Sequence, residues 1–227
     1  MNIFAETSYN QLFVIASYAL SVLGSYLSLS SIDKLLKLKE IDLPNRINKQ
    51  LLNENNIDAN EETKNQKTIY FKNLFVSSVA FGGLAVWSMH FMGQVALRIP
   101  TEINYDAILT LTSFLVVTLT SFIALHIVIS KPNNLISFLI SGIILGLGVI
   151  SMHYIGMYSM RFDGFFILNT EIVIISIAIA LIVSPAALWI ACRARSLKTR
   201  LIAAFIMGGG ISAVHYIGTS AAGFICN

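Results

Sequence analysis

The sequence predicts an all-α fold, a polytopic bundle of six transmembrane helices arranged as tandem two-helix repeats in parallel orientation. Three observations predict it: an apolar composition, six long apolar segments, and one histidine motif that occurs three times. Of the 227 residues, 56% are hydrophobic and 12% are charged, and the mean hydropathy is +0.73. A soluble domain has about 45–50% apolar and about 25% charged residues. So few charges cannot cover a water-facing surface, which indicates a protein that lies in lipid.

Each predicted helix is an apolar segment of about 20 residues, the length that spans a bilayer as a helix. Residues 1–11, before the first segment, contain no basic side chain and do not resemble the start of a cleaved signal peptide. We therefore expect the first segment to remain in the protein as a helix. The six segments are 12–30, 74–97, 107–130, 135–157, 171–192 and 201–223.

The stretch between the first two segments, residues 32–73, is polar. It is rich in asparagine, lysine and glutamate and contains few aromatic residues, so it cannot fill a core of its own. We expect a mobile aqueous loop on the cytoplasmic side, which could be helical in part.

The distribution of lysine and arginine predicts an N-terminus outside the cytoplasm. With the loop 32–73 inside, thirteen of the fifteen basic residues lie on the inner side, against Arg98 and Arg161 outside. The short connections alone give five against two, in the same sense, by the positive-inside rule. Four basic residues at 193–200 are interpreted as a topology anchor rather than a lipid or partner contact. A net charge of +3 without a basic stripe does not indicate nucleic-acid binding.

Three segments of the chain align without gaps: residues 83–93, 146–156 and 208–218. Each has glycine at the seventh residue before a histidine and glycine at the third residue after it, all on one helical face. Glycines allow helices to approach closely, so each histidine is expected to point into a helix contact and away from lipid. The histidines recur at intervals of 63 and 62 residues, which is one helix pair per repeat. All three motifs therefore lie at the same side of the membrane, the outer side in the predicted topology.

Histidines His90, His153 and His215 are the centres of these motifs. One histidine in a membrane helix is readily explained as a hydrogen-bonded contact residue. Three at one depth, in one local sequence, indicate a functional site, because polar side chains within the membrane are costly. His126 lies near the inner end of the third segment without a motif, and we interpret it as structural.

Methionines beside the histidines suggest a copper site. Imidazole together with thioether favours copper, and thioether especially favours Cu(I). Zinc would usually have cysteine or carboxylate ligands as well, and neither lies next to these histidines in the sequence. The methionines could alternatively be gap-filling core residues. The candidate metal ligands are His90, His153, His215, Met89, Met152 and Met157. The two cysteines, Cys192 and Cys226, predict neither a disulfide framework nor a zinc site.

The three motifs resemble the signature of the MHYT domain, a bacterial integral-membrane sensor module. They read Met89-His90-Phe91, Met152-His153-Tyr154 and Val214-His215-Tyr216, and the resemblance extends over about residues 12–223. It implies one domain over residues 1–227, in the cytoplasmic (inner) membrane of a bacterium, with its motifs near the outer face. It also implies copper binding and sensing of a diatomic gas such as O2, CO or NO. Members are often joined to cytoplasmic domains that make or degrade cyclic di-GMP.

The chain departs from the family pattern at four points. The family tends to have methionine at the fourth residue after the histidine; Met157 matches, whereas Gln94 and Thr219 do not. Val214 stands where the third motif would have methionine. The family has seven helices and this chain six, and we expect no output domain. The chain would then be either an excised sensor module or a stand-alone protein that signals through a partner.

The leading hypothesis is a membrane-embedded sensor that binds copper and responds to a gas or to redox state. We expect no enzymatic turnover, because the sequence contains no recognisable general base, nucleophile or phosphate loop. One alternative is a redox protein linked to haem or quinone, with histidines from neighbouring helices as haem ligands. Another is a transporter of copper or another solute, for which the repeats would fit. A transporter needs polar residues through the whole membrane, and below the motifs the helices are expected to be aliphatic.

Overall fold

The computed structural model describes residues 4–52 and 57–226, and their side chains outside residues 41–63. Helices account for most of this part of the chain, and the second membrane helix is a continuous rod of three pieces. The helical elements are α1 (Gln11–Leu52), α2 (Ile57–Ser78), a π-helical segment (Val79–Ser88), α3 (Met89–Ala96), α4 (Ala107–Ser130), α5 (Leu135–Tyr158), α6 (Thr170–Arg193) and α7 (Leu197–Ser220).

Six helices among the described residues are long and apolar enough to cross a membrane, which confirms the predicted six-helix bundle. The protein is a multi-pass membrane protein. The third helix has the predicted bounds, and the others begin or end within a few residues of the predicted ones outside the polar stretch. The spans are Gln11–Glu40, Lys64–Ala96, Ala107–Ser130, Leu135–Tyr158, Thr170–Arg193 and Leu197–Ser220.

Polar residues define where four of these helices begin. Asp106, Asn134 and Asn169 each accept hydrogen bonds from two first-turn N–H groups, and Ser196 accepts one in a capping box with Thr199. The first four N–H groups of a helix have no partner within the helix, and these side chains pair one or two of them at each start. The short connections therefore turn the chain sharply at the membrane edge.

The described parts of residues 32–73 are helical, so this stretch contains more helix than the expected loop, helical in part. Helix α1 continues to Leu52 and α2 begins at Ile57. At the near end, Leu35 and Leu36 are buried. A polar sequence needs no core of its own to be helical here, because it extends membrane helices that are already nucleated. Adding a residue to a formed helix costs little free energy, since each added residue also forms a backbone hydrogen bond. The side chains of residues 41–63 lie outside the described part.

The membrane helices form a closed ring. Helix α1 packs on the rod that contains α3, this rod packs on α4, and the ring continues through α5, α6 and α7 back to α1. The first helix of each repeat (α1, α4 and α6) therefore alternates with a motif helix (α3, α5 and α7). The motif helices present one face to the ring's centre, where the main apolar core lies.

Serines recur at equivalent positions of the first helices. Ser17, Ser113 and Ser176 are buried, and so are the residues eight positions later, Ser25, Ser121 and Ser184. The expectation that the helices are aliphatic below the motifs is therefore wrong at Ser25, Ser121 and Ser184, which are the serines farther from the motifs. Small residues suit helix contacts, because membrane helices associate through close packing more than through hydrophobic burial.

Three short antiparallel ribbons cover one end of the bundle, here called the motif end. In each ribbon, the strand before the first helix of a repeat pairs with the strand after the motif helix of the same repeat. Each repeat is therefore strand–helix–helix–strand. The sequence did not predict these strands. They pair as β1 (Ser8–Tyr9) with β2 (Leu97–Arg98), β3 (Asn104–Tyr105) with β4 (Met160–Arg161), and β5 (Gly164–Leu168) with β6 (Ala222–Cys226).

The opposite end, here called the charged end, contains an ion-pair network around Asp33 of α1. The Asp33 carboxylate is almost fully buried and lies 2.7 Å from Arg200 and 2.8 Å from Lys37. Arg195 lies 3.2 Å from Asp33 and 2.9 Å from Glu40. Two residues of the basic cluster at 193–200 thus connect the turn between α6 and α7 to α1, in addition to any role in topology.

Candidate metal centre

The three motif histidines meet in the middle of the bundle, below the ribbons. His90, His153 and His215 come from α3, α5 and α7, and each is at most 4% exposed. The Nδ1 atom of His90 lies 3.0 Å from Nδ1 of His215 and 3.2 Å from Nδ1 of His153. One ring nitrogen from each histidine lies within 4.8 Å of the other two, so the predicted cluster of three is formed.

The hydrogen-bonding capacity of the Nδ1 atoms is too small for these contacts. A neutral imidazole nitrogen carries either one proton or one lone pair. The Nδ1 of His90 faces two other nitrogens, and a single proton makes only one good hydrogen bond. With the protons on Nε2, three lone pairs face one another, an arrangement that a cation in their midst would stabilise.

The opposite nitrogens face glycines. The Nε2 atoms of the three rings have no hydrogen-bond partner among the described residues. A Cβ atom placed on Gly156 would lie 2.2 Å from Nε2 of His90. The same construction gives 2.5 Å from Gly218 to His153 and 2.3 Å from Gly93 to His215. The glycine after each histidine therefore makes room for an imidazole of another repeat, and not for a helix backbone as the sequence suggested.

The glycines before the histidines do serve helix approach, as predicted. A Cβ atom on Gly208 would lie 2.7 Å from Val22 of α1. On Gly146 it would lie 3.1 Å from Leu181 of α6, and on Gly83 2.9 Å from the Phe114 ring of α4. Each motif helix thus packs closely against the first helix of the next repeat.

The predicted methionine ligands occupy two places. Met89 and Met152 are buried in the main core together with Val214, their counterpart in the third repeat. Met157 is fully buried in a second apolar cluster among the ribbons. The Gln94 amide donates a hydrogen bond to the Met157 sulfur at 3.5 Å.

Gln94 is a site residue that the ligand prediction left out. It is fully buried one turn beyond His90, and its amide oxygen has no partner among the described residues. Its position, four residues after the histidine, is the one that Met157 occupies in the second repeat and Thr219 in the third. This shared position is the sequence signal for Gln94, but glutamine has no thioether and so does not fit a prediction of methionine ligands.

The aromatic residues after the histidines hold the motif helices in place. Tyr154 hydrogen-bonds Ser176 at 2.8 Å, and Tyr216 hydrogen-bonds Ser17 at 3.0 Å. In the first repeat Phe91 packs on Trp87, whose indole N–H donates to Ser113 at 3.0 Å. The serines that recur in the first helices therefore anchor each motif helix to the following repeat.

His126 lies away from the cluster, on α4. Its Nδ1 is 3.1 Å from the Tyr70 hydroxyl, and its ring stacks on Phe71. Both partners belong to α2, so His126 connects two helices, as the structural interpretation of this residue expects.

Comparison with known proteins also finds a repeated unit in the chain. The family model described as MHYT, "Bacterial signalling protein N terminal repeat", matches residues 83–141 and 146–204, together about half of the chain. Each matched segment starts at the first glycine of a motif. No solved structure matches the chain.

Several curated proteins are similar to most of the chain. The bifunctional diguanylate cyclase/cyclic di-GMP phosphodiesterase MucR of Pseudomonas aeruginosa is 36% identical over 63% of the chain and 22% of its own length. The cyclic di-GMP phosphodiesterase NbdA of the same organism is 27% identical over 61% of the chain and 18% of its own length. The signaling protein YkoW of Bacillus subtilis is 29% identical over 63% and 18%.

The similarity is confined to a part of these relatives, because the matched region spans about a fifth of their length. The matched part of the chain contains histidine motifs on membrane-spanning helices. The chain therefore belongs to the MHYT family, and it is a multi-pass membrane signalling domain of the kind found in bacterial signalling proteins.

Proposed function

We propose that the protein is a membrane sensor that binds a copper ion between His90, His153 and His215. The observation that carries this proposal is the cluster of three buried imidazoles, in which Nδ1 of His90 lies 3.0 Å from Nδ1 of His215 and 3.2 Å from Nδ1 of His153. A full hydrogen bond from His90 Nδ1 can be made to only one of its two neighbours at a time, whereas one cation accepts a lone pair from each nitrogen.

The spacing of the nitrogens supports an ion. Nitrogens bound at about 2.0–2.1 Å from one ion, the distance known for zinc, lie about 3.3–3.6 Å from each other. The observed separations of 3.0 and 3.2 Å are a few tenths of an ångström shorter. Small movements of the rings would therefore admit an ion without repacking the helices.

The surrounding donors favour copper over zinc. Among the described residues, the cluster contains no cysteine and no carboxylate. The soft donors nearby in sequence are the sulfurs of Met89, Met152 and Met157, which prefer Cu(I). These methionines remain candidate ligands alongside the histidines.

Copper, when bound, would supply reversible binding of a small gas such as O2, CO or NO, or a change of oxidation state. The residues of the chain would convert this event into movement. Each imidazole is confined by a glycine of another helix, so a shift of one ring presses on that helix. Packed helices respond with small rigid displacements. Helices α1 and α7 reach both the motif end and the charged end, where their ion pairs could pass the movement on.

The output is proposed from the relatives. MucR and NbdA are named as cyclic di-GMP enzymes. We infer that the charged end, predicted to be cytoplasmic, acts on a cyclic di-GMP enzyme, either a separate protein or a further part of the same polypeptide.

The alternative of a haem protein is less compatible with the ring packing. The three imidazoles contact one another, with centroids 4.9–5.4 Å apart, and their outer nitrogens contact glycines. This leaves room for an ion between the rings but none for a macrocycle. A transporter would need a polar route onward from the cluster, and Met89, Met152 and Val214 lie in the apolar core instead.

The test is the metal content of protein purified from membranes in mild detergent. We expect about one copper per chain in the parent and in His126→Ala, and none in the triple variant His90→Ala/His153→Ala/His215→Ala. The His126 variant controls for loss of a histidine outside the cluster. A metal-free parent that also fails to take up added copper would contradict the proposal.

A further inference from the structure

The contacts between histidines and glycines run in one direction around the bundle. His90 of the first repeat rests on Gly156 of the second, and His153 of the second rests on Gly218 of the third. His215 of the third repeat rests on Gly93 of the first, which closes the cycle. Each histidine is therefore placed by a repeat other than its own.

Each imidazole is confined on both sides. For His90, the Nε2 side meets Gly156 at a distance that leaves no room for a methyl group. Its Nδ1 side meets the other two histidines at 3.0 and 3.2 Å. A ring held in this way can move by a few tenths of an ångström but cannot make room for a methyl group, because a core at normal packing density has few voids.

We propose that Gly93, Gly156 and Gly218 are positioning residues, each of which determines where the histidine of another repeat presents its Nδ1 atom. The consequence for copper rests on the proposed function, whereas the placement of the rings does not. An added methyl group pushes the imidazole toward the centre, where the other two rings already lie. The three Nδ1 atoms then cannot all face the same position.

Alanine at Gly156 is the sharpest test, with Gly209→Ala as a matched control. Both are glycines of motif helices, and a Cβ atom on Gly209 would have no atom within 4 Å. We expect Gly156→Ala to lower the Tm by on the order of 5 °C, because overpacked cores are strained. Gly209→Ala should leave the Tm unchanged or raise it slightly.

The identity of the displaced ring distinguishes positioning from general strain. In metal-free protein with 15N-labelled histidine, we expect Gly156→Ala to shift the imidazole signals of the cluster, and those of His90 most. Signals are assigned by their loss in single His→Ala variants, and the His126 signals serve as the reference. Unchanged imidazole signals in a destabilised Gly156→Ala protein would overturn the proposal.

The second readout is whether removal of the displaced imidazole restores the Tm of the glycine variant. His90→Ala should relieve the Tm loss of Gly156→Ala more than His153→Ala or His215→Ala does. Equal relief by all three would mean that the contacts are not specific, and would overturn the proposal. If Gly156→Ala alone fails to fold, a folded Gly156→Ala/His90→Ala protein supports it; failure of both, with Gly209→Ala folded, contradicts it.

Copper binding adds a third readout that separates the two proposals. Gly156→Ala should weaken copper binding by about 10–100-fold, the usual effect of removing support from a metal ligand. Parent protein without copper affinity, but with the expected histidine shifts and relief pattern, would end the copper proposal and leave the positioning role intact. Unaltered copper affinity in Gly156→Ala would count against positioning.

Discussion

Asp106 shows how one polar residue combines two tasks at the motif end. Its carboxylate accepts hydrogen bonds from the N–H groups of Ile108 and Leu109 at the start of α4, and it pairs with Arg161 at 3.0 Å. The hydrogen bond from Leu109 and the Arg161 guanidinium hold the pKa of this carboxyl below its ordinary value of 3.8. The ionised form is thus favoured in the folded protein.

A pH-dependent contribution to stability follows from this lowered pKa. The contribution is present above the pKa of the unfolded chain and is lost as the pH falls through the lower folded value. We expect Asp106→Ala to lower the Tm at neutral pH, and the difference from the parent to shrink as the pH falls below about 4. Thermal unfolding in detergent at several pH values measures it.

Asn134 provides the matched control for this prediction. It accepts the equivalent hydrogen bonds at the start of α5 but does not titrate. The Tm difference caused by Asn134→Ala should therefore remain constant over the same pH range. A parallel decline for both variants would assign the effect to another group.

Residue-level prediction from the sequence succeeded where a side chain's type limits its surroundings. Buried histidines in a membrane helix need partners, so the convergence of His90, His153 and His215 could be expected. Helical periodicity predicted the face of α5 on which Gly156 lies. It could not predict that His90 packs on this face, because periodicity describes one helix and not its neighbours. Gln94 was missed because its role depends on Met157, 63 residues away.

Ion pairs connect α1 to Arg195, in the turn before α7, and to Arg200, in the first turn of α7, at the charged end. Asp33 is 5% exposed and Arg200 is 17% exposed, whereas Lys37, which contacts the same carboxylate oxygen as Arg200, is 59% exposed. Removing Arg200 takes away the most buried partner of Asp33 and leaves the more exposed Lys37 and Arg195 to compensate its charge. Exposed pairs contribute little, because water screens them.

Arg200→Ala is therefore expected to destabilise the protein by about 2 kcal/mol, the loss of a hydrogen bond to a charged group, because Lys37 and Arg195 still pair with Asp33. Lys37→Ala should destabilise it by less than about 1 kcal/mol. The double replacement Asp33→Leu/Arg200→Met should recover most of the loss, since apolar residues of similar size can replace a buried pair. Chemical or thermal unfolding of the three variants measures these differences. Equal losses for Arg200→Ala and Lys37→Ala would contradict the assignment of the buried pair.

The π-helical segment distinguishes the first motif helix from the other two. It precedes His90 directly, and backbone atoms approach it from both sides. A Cβ atom on Gly24 of α1 would lie 2.3 Å from the Ala85 nitrogen, and one on Gly82 would lie 2.8 Å from the Val117 carbonyl of α4. Helices α5 and α7 are α-helical at the corresponding residues. Long π-helices are rare and often adjoin functional sites.

Elements that the sequence did not predict share one physical cause. Strands such as β1 and β2 are only two residues long, too short for an alternating pattern, and they form because the helices bring their ends together. Asp33 and Arg200 lie 167 residues apart in the chain, so their pairing depends on how the ring closes. The lengths of the apolar segments predicted the helices themselves, because a helix needs about 20 apolar residues to cross a bilayer.

At the scale of the whole molecule, the direction of insertion remains a prediction from charge. The basic residues favour the charged end in the cytoplasm and the motif end outside. We expect alkaline phosphatase fused after residue 226 to be active and green fluorescent protein fused there to be dark. Fusions after Lys131, in the turn between α4 and α5, should give the reverse. Activity in the opposite pattern would invert the topology.

The directional contacts between repeats give the chain the character of an assembly. Contacts in which one surface of a unit meets a different surface of the next are head-to-tail, and such contacts form a ring when the rotation closes. Here closure comes after three units, and the covalent chain joins them in order. The protein is in effect a cyclic trimer within one polypeptide. Because its units are not identical, single positions can differ between repeats, as Phe91, Gln94 and Val214 differ from their counterparts, while the ring remains closed.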